Sequence, residues 1–135
     1  MIIVLSAYPD SKSAESAAQT LVEKRLAACV SIINVESSTY RWEGKVEKAP
    51  EKLLLIKSVK RAYPVIERYI KKTHPHKVPE IAYLEATGGQ KDYISWLEAS
   101  VSRALMVPLE RNETSRAARP SKESTKAKKP RTSSN

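Results

Sequence analysis

His74 and His76 are the only histidines in the chain, and a single proline separates them. In an extended segment, positions i and i+2 point the same way, so both imidazoles can reach one ion. Glu80, four residues further on, adds a carboxylate, and two nitrogens with an oxygen suit copper(II) or zinc. The expected mode is low-affinity binding at the surface or between subunits. The segment that carries these groups, His74-Pro75-His76-Lys77-Val78-Pro79-Glu80, contains two prolines. Proline forbids helix and hinders strand pairing, so the segment reads as an extended connector.

The third kind of candidate is Cys29, the one cysteine. A single thiol excludes an intrachain disulfide, a four-cysteine zinc site and a Cys-x-x-Cys metallochaperone pair. Cys29 stands among Ala27, Ala28, Val30 and Ile32, where a free thiol is expected to behave as a small buried hydrophobe. The one cation near it in the chain is Arg25, a helical turn back. The carboxylates Glu43, Glu47, Glu51, Glu80 and Glu85 show no spacing that specifies acid–base work. Only three glycines occur, Gly44, Gly88 and Gly89, which excludes both a Walker loop and a G-x-G-x-x-G fingerprint. No catalytic pattern emerges, and the expectation is a protein that is not an enzyme.

The elements that must position these groups follow from periodicity. Ile2–Leu5 is a short apolar strand ending at Ser6. Asp10 or Ser11 caps a helix whose stripe is Ala14, Ala17, Ala18, Leu21, Val22 and Leu26. Leu26–Lys45 then continues in extended register, far longer than the ~5–6 residues usual for a strand. Tyr40 and Trp42 near its tip share a face. An arm of that length with two aromatics is expected to find part of its packing in another subunit. A turn near Gly44 leads to a strand over Lys52–Lys60, apolar on both faces at Leu53–Ile56. Pro64 opens a second helix with Ile66, Tyr69, Ile70 and Thr73 inward. Ile81–Thr87 is a strand, and Gln90–Leu105 a third helix with Ile94, Leu97, Val101 and Leu105 inward.

This order predicts a split βαβ arrangement, α+β, with an antiparallel sheet carrying helices on one face. The other face needs a cover, and another subunit is the simplest one. At 135 residues one domain is expected, over 1–106. From Glu110 onward eight Lys/Arg meet three acids, a charge of +5 out of the total +9. Residues 107–135 are therefore expected to form a disordered basic tail. Lys126, Lys128, Lys129 and Arg131 are its candidates for weak, non-specific contact with nucleic acid or another polyanion. No segment is long and apolar enough to suggest a membrane span, and a cytoplasmic location is expected.

Five stretches resemble one family in its order. They are Leu21-Val22-Glu23-Lys24-Arg25-Leu26-Ala27-Ala28-Cys29-Val30, Tyr40-x-Trp42-Glu43-Gly44-Lys45 and Glu51-x-Leu53-Leu54-Leu55-Ile56-Lys57. They continue with His74-Pro75-x-x-Val78-Pro79-Glu80-Ile81 and with Gly88 leading to Tyr93-x-x-Trp96-Leu97. Across roughly residues 2–103 the chain resembles the CutA family, the divalent-cation tolerance proteins. The resemblance implies a ferredoxin-like fold, a tight homotrimer joined by extended strands, and an association with copper and other divalent cations. It keeps a copper(I) role open for Cys29, places Tyr40 and Trp42 in the trimer interface, and offers connector geometry as a second role for His74. Two departures stand out: His76-Lys77 replaces the family's usual Tyr-Glu, and Ser6 stands where some members have cysteine.

A competing expectation is a small-ligand sensor related in architecture to PII or ACT domains, holding an anion or metabolite in clefts between subunits. Arg41, Lys57, Lys60 and Arg61 are its candidate residues. An RNA-reading sheet is disfavoured, because the central strand Leu53–Lys60 offers no aromatic for base stacking.

Overall fold

The computed structural model describes residues 1–104. Leu105 and the expected tail, with Lys126, Lys128, Lys129 and Arg131, lie outside the described residues. The elements are β1 (Ile2–Tyr8), α1 (Ser11–Glu23), β2 (Cys29–Trp42) and β3 (Lys45–Ser58), followed by α2 (Tyr63–Thr73), β4 (Ala82–Glu85) and α3 (Lys91–Ser100). The four strands form one sheet in the order β2-β3-β1-β4. All neighbouring pairs are antiparallel. This is the ferredoxin-like α+β arrangement expected from the order of elements.

Period-two alternation assigns the two faces of the sheet. Ile2, Val4, Ser6 and Tyr8 of β1 and Leu54, Ile56 and Ser58 of β3 are buried. They meet Ala14, Ala17 and Leu21 of α1, Val65, Ile66 and Ile70 of α2, and Leu97 of α3. Registers that bring Ile3 opposite Lys57 and Leu84, and Leu5 opposite Leu55 and Ala82, place the alternate residues on the opposite face. That face is largely apolar, and no helix among the described residues covers it. Ile33 is 43% exposed and Leu84 60%.

Beyond the expected strand over Lys52–Lys60, β3 runs back to Lys45 and pairs with β2 along the whole arm. The two long strands make a hairpin closed by Glu43 and Gly44, both at positive φ, +50° and +80°. Two consecutive residues with φ > 0 match the twist of a two-residue hairpin turn. Pro50 did not break the strand because it lies opposite an irregularity. Val35 pairs with Glu51 and Ser38 with Ala49, so β2 holds one extra residue there. A bulge needs no ladder donor at that point, which is what a proline tolerates.

The helix readings are refined in several places, and Val22 of the expected α1 stripe is exposed. Asp10 is the cap of α1, its Oδ1 accepting from the Ser13 N–H at 2.7 Å. On α2, Val65 joins the buried stripe and Thr73 is exposed, its hydroxyl donating to Tyr69 O within the same helix at 2.8 Å. The third helix ends at Ser100 rather than Leu105. Arg25 donates to the carbonyls of Ala99 and Ser100, and Arg61 to those of Val101 and Ser102. These guanidinium groups take up the terminal carbonyls that a longer helix would have used itself. Local propensity yields to a long-range clamp.

Candidate functional site

His74 follows the last turn of α2, and its backbone N–H donates to Ile70 O at 2.8 Å. The side chain is 8% exposed. It stacks on Tyr8 with ring centroids 4.2 Å apart. Nε2 lies 2.8 Å from the carbonyl oxygen of Ala7, and the backbone N–H of His76 points at Nδ1 at 3.0 Å. A carbonyl can only accept and a peptide N–H can only donate. The ring therefore carries its proton on Nε2, and Nδ1 holds its lone pair toward His76. Both nitrogens are engaged in fixing the start of the connector against the end of β1. To ligate an ion, His74 would have to break one of these bonds. The two bonds hold the connector in shape.

His76 is half-buried and Glu80 exposed. The two imidazole rings are 5.1 Å apart and tilted. Cys29 is also half-buried, not fully buried as expected. It begins β2 on the apolar open face, in register with Lys57 and, through it, Ile3. The His74 contact at Ala7 is four residues from Ile3, about 13 Å along the strand. Among the described residues no three His, Cys, Asp or Glu side chains gather as a metal-holding group. His74, His76, Glu80 and Cys29 of one chain therefore do not fit a closed metal centre.

Tyr8 was not singled out by sequence reasoning, which ended β1 too early. The alternation Ile2, Val4, Ser6, Tyr8 was the available signal. Burial pushes the Tyr8 phenol well above the ordinary tyrosine range, and Tyr69 adds to the shift. The neighbouring Ser6 hydroxyl works weakly in the opposite direction. Tyr8 is thus a neutral packing surface for His74.

Tyr40 and Trp42 are half-buried and lie opposite Glu47 and Lys45. The bulge decides which way they face. Cys29, Ser31 and Ile33 project to the open face at odd positions, and without the extra residue Tyr40 and Trp42 would project to the other one. With it, both aromatics project on the same side of the hairpin as Ala49 and Glu51, which are buried. The indole N–H of Trp42 is shielded from solvent and has no acceptor among the described residues. The four cations of the sensor reading are scattered. Arg41 lies near the hairpin tip, and Lys57 donates to Ser31 Oγ at 3.4 Å on the open face. Lys60 and Arg61 stand at the approach to α2.

The fold is matched by known proteins. A model of the CutA1 divalent ion tolerance protein family matches residues 2–100. The chain belongs to the CutA1 family. The divalent-cation tolerance protein CutA of Thermus thermophilus is 42% identical over 95 residues, covering 70% of this chain and 92% of that relative. Its solved structure superposes with a TM-score of 0.73 over 76% of this chain and all of that one, at 40% identity. The crystal structure of CutA1 from Oryza sativa gives 0.74 at 33% identity, over 76% of this chain and 94% of that one. A third, described as the periplasmic divalent cation tolerance protein CutA from Archaeoglobus fulgidus, gives 0.72 at 30% identity, over 76% of this chain and 100% of that one. CutA1 proteins are a tolerance-protein family, not a known enzyme family. The sensor reading is not favoured.

Proposed function

We propose that the chain works as a non-catalytic homotrimer in the response to copper or another divalent cation. The family match over residues 2–100 carries this reading. Trimer formation is supported by the apolar open face, which includes Leu5, Leu55 and the exposed Ile33 and Leu84. Covering it with a second copy gains roughly 25 cal/mol per Å² of apolar surface. The shielded Trp42 N–H, without an acceptor among the described residues, supports a contact completed by another copy.

In this proposal metal binding is weak and centres on His76 and Glu80 at the connector, with His74 holding the connector in shape. Cys29 is a separate thiol, a candidate for copper(I) on the open face. Calorimetric titration of copper(II) and zinc into the full chain tests the connector. His76→Ala is expected to weaken binding at least tenfold, and an unchanged isotherm would remove the connector from the proposal.

The proposed compartment is the cytoplasm. No helix among the described residues is long and apolar enough to cross a membrane. Cell fractionation decides the point, and recovery in a periplasmic fraction overturns it. Weak polyanion contact is proposed for the basic residues of 107–135, with binding that falls steeply as salt rises.

A further inference from the structure

The connection between β3 and α2 faces α3 across an open cleft of about 570 Å³. Lys60 and Arg61 line one side, and Ser95, Glu98 and Arg103 the other, with buried Val59 contributing to the wall. Three cationic side chains thus share a cleft lined by one carboxylate. We propose that this cleft is a binding site for a small phosphorylated molecule, whose phosphate is held between Lys60, Arg61 and Arg103.

The cations are preorganised by bonds that hold them at the cleft. Arg61 donates through Nη2 to the carbonyls of Val101 and Ser102, at 3.4 and 3.2 Å. This anchors a planar fork without neutralising it, because backbone carbonyls carry no net charge. Lys60 is paired with Glu85 at 3.1 Å, both side chains remaining well exposed. The hydrogen bond from Lys60 to Glu85, and then the charge of Glu85, hold the Lys60 pKa above its ordinary value, so it stays an ammonium group. Glu85 offsets part of the charge of Lys60. The cleft keeps a net positive charge, with Arg61 bonded to neutral carbonyls.

A phosphate dianion matches this better than a monocarboxylate. Guanidinium groups bind phosphate oxygens in pairs, and the Lys60 point charge neutralises the remainder. The volume lies within the range of small-molecule sites. The hydroxyl of Ser95 supplies a neutral donor on the α3 side. This site lies within one chain; Lys60 and Arg61 are shared with the intersubunit set of the sensor reading, while Arg103 takes the place of Arg41 and Lys57.

Inorganic pyrophosphate is the probe, titrated calorimetrically into the full chain at low salt, with acetate as the competing anion class. Saturable binding is expected, with acetate at least tenfold weaker. Lys60→Ala and Arg103→Ala should each raise the dissociation constant about tenfold, the loss of one charge-assisted contact. Both side chains are exposed, so neither change threatens the fold. The quadruple change Lys126→Ala, Lys128→Ala, Lys129→Ala, Arg131→Ala should leave binding as it was. The proposal is overturned by the absence of saturable binding, by equal affinity for acetate, by unchanged affinity in both cleft variants, or by loss of binding in the quadruple variant.

Discussion

At the scale of single residues, His74 shows how a metal-ligating side chain can be consumed by structure. Its two nitrogens join three backbone stretches: the end of β1, the end of α2 and the connector. His74→Ala leaves the Ala7 carbonyl and the His76 N–H without this partner. The expected cost is about 1–3 kcal/mol in urea unfolding. His74→Asn, which can still accept from the His76 N–H, should recover part of that loss. Asp10 gives a second prediction. The hydrogen bond from the Ser13 backbone N–H, more than any nearby charge, lowers its pKa. Its native value lies below the unfolded one, so its stabilisation is complete above the ordinary aspartate range near ~4. It fades as pH falls through the depressed native value. Asp10→Ala should therefore cost about 1 kcal/mol at neutral pH. Urea melts of both proteins at pH 7 and near pH 3 should show the gap narrowing in acid. Arg25 works at the same scale. It ends α1 at φ +57°, a position that favours glycine, with Leu26 N–H bonded to Leu21 O and Arg25 N–H to Val22 O. A guanidinium there, unlike glycine, reaches the carbonyls of Ala99 and Ser100.

Among the elements, the β2–β3 hairpin does most to shape the molecule. Its turn puts Glu43 in a left-handed conformation that Asn adopts more readily. Glu43→Asn is expected to stabilise the hairpin by under ~1 kcal/mol, and Gly44→Val to destabilise it by about 1–2 kcal/mol. No atom outside the turn comes within 4 Å of a Cβ added at Gly44. The second effect therefore arises from the turn's own backbone and not from contact with the rest of the protein. Thermal melts of the two variants separate the cases. The arm's length was legible in the run from Leu26 to Lys45. Its bulge was not. A bulge depends on the partner strand, and the clue, Pro50, lies on that partner. Read alone, Pro50 looked like the boundary of a strand.

For the molecule as a whole, the open sheet face governs behaviour. If copies cover it, a charge planted in its middle must separate them. Leu55→Asp should shift the mass measured by light scattering from trimer to monomer while circular dichroism keeps the α+β signal. A wild-type monomer would remove the proposed assembly. Trp42→Ala, at the arm, should leave a trimer that dissociates on milder dilution or denaturant. If its mass is unchanged after the same treatment, the arm has no part in assembly.

Local pattern alone determined the order of strands and helices, the two-sided apolar character of the central strand, and the long arm. Those properties are written in period-two and period-3.6 alternation, which each segment carries by itself. The five motifs carried the family for the same reason, since each is a short run of neighbours. Contacts between residues distant in the chain lay beyond that reading. Only the tertiary structure brought Ala7 to His74 and closed both imidazole nitrogens. It also turned Tyr40 and Trp42 to the side of the hairpin that carries buried Ala49 and Glu51, and set Arg103 across from Lys60 and Arg61. Each of these outcomes depends on strand register or on a clamp spanning tens of residues. Burial and hydrogen-bond geometry choose among such arrangements only after the chain has packed.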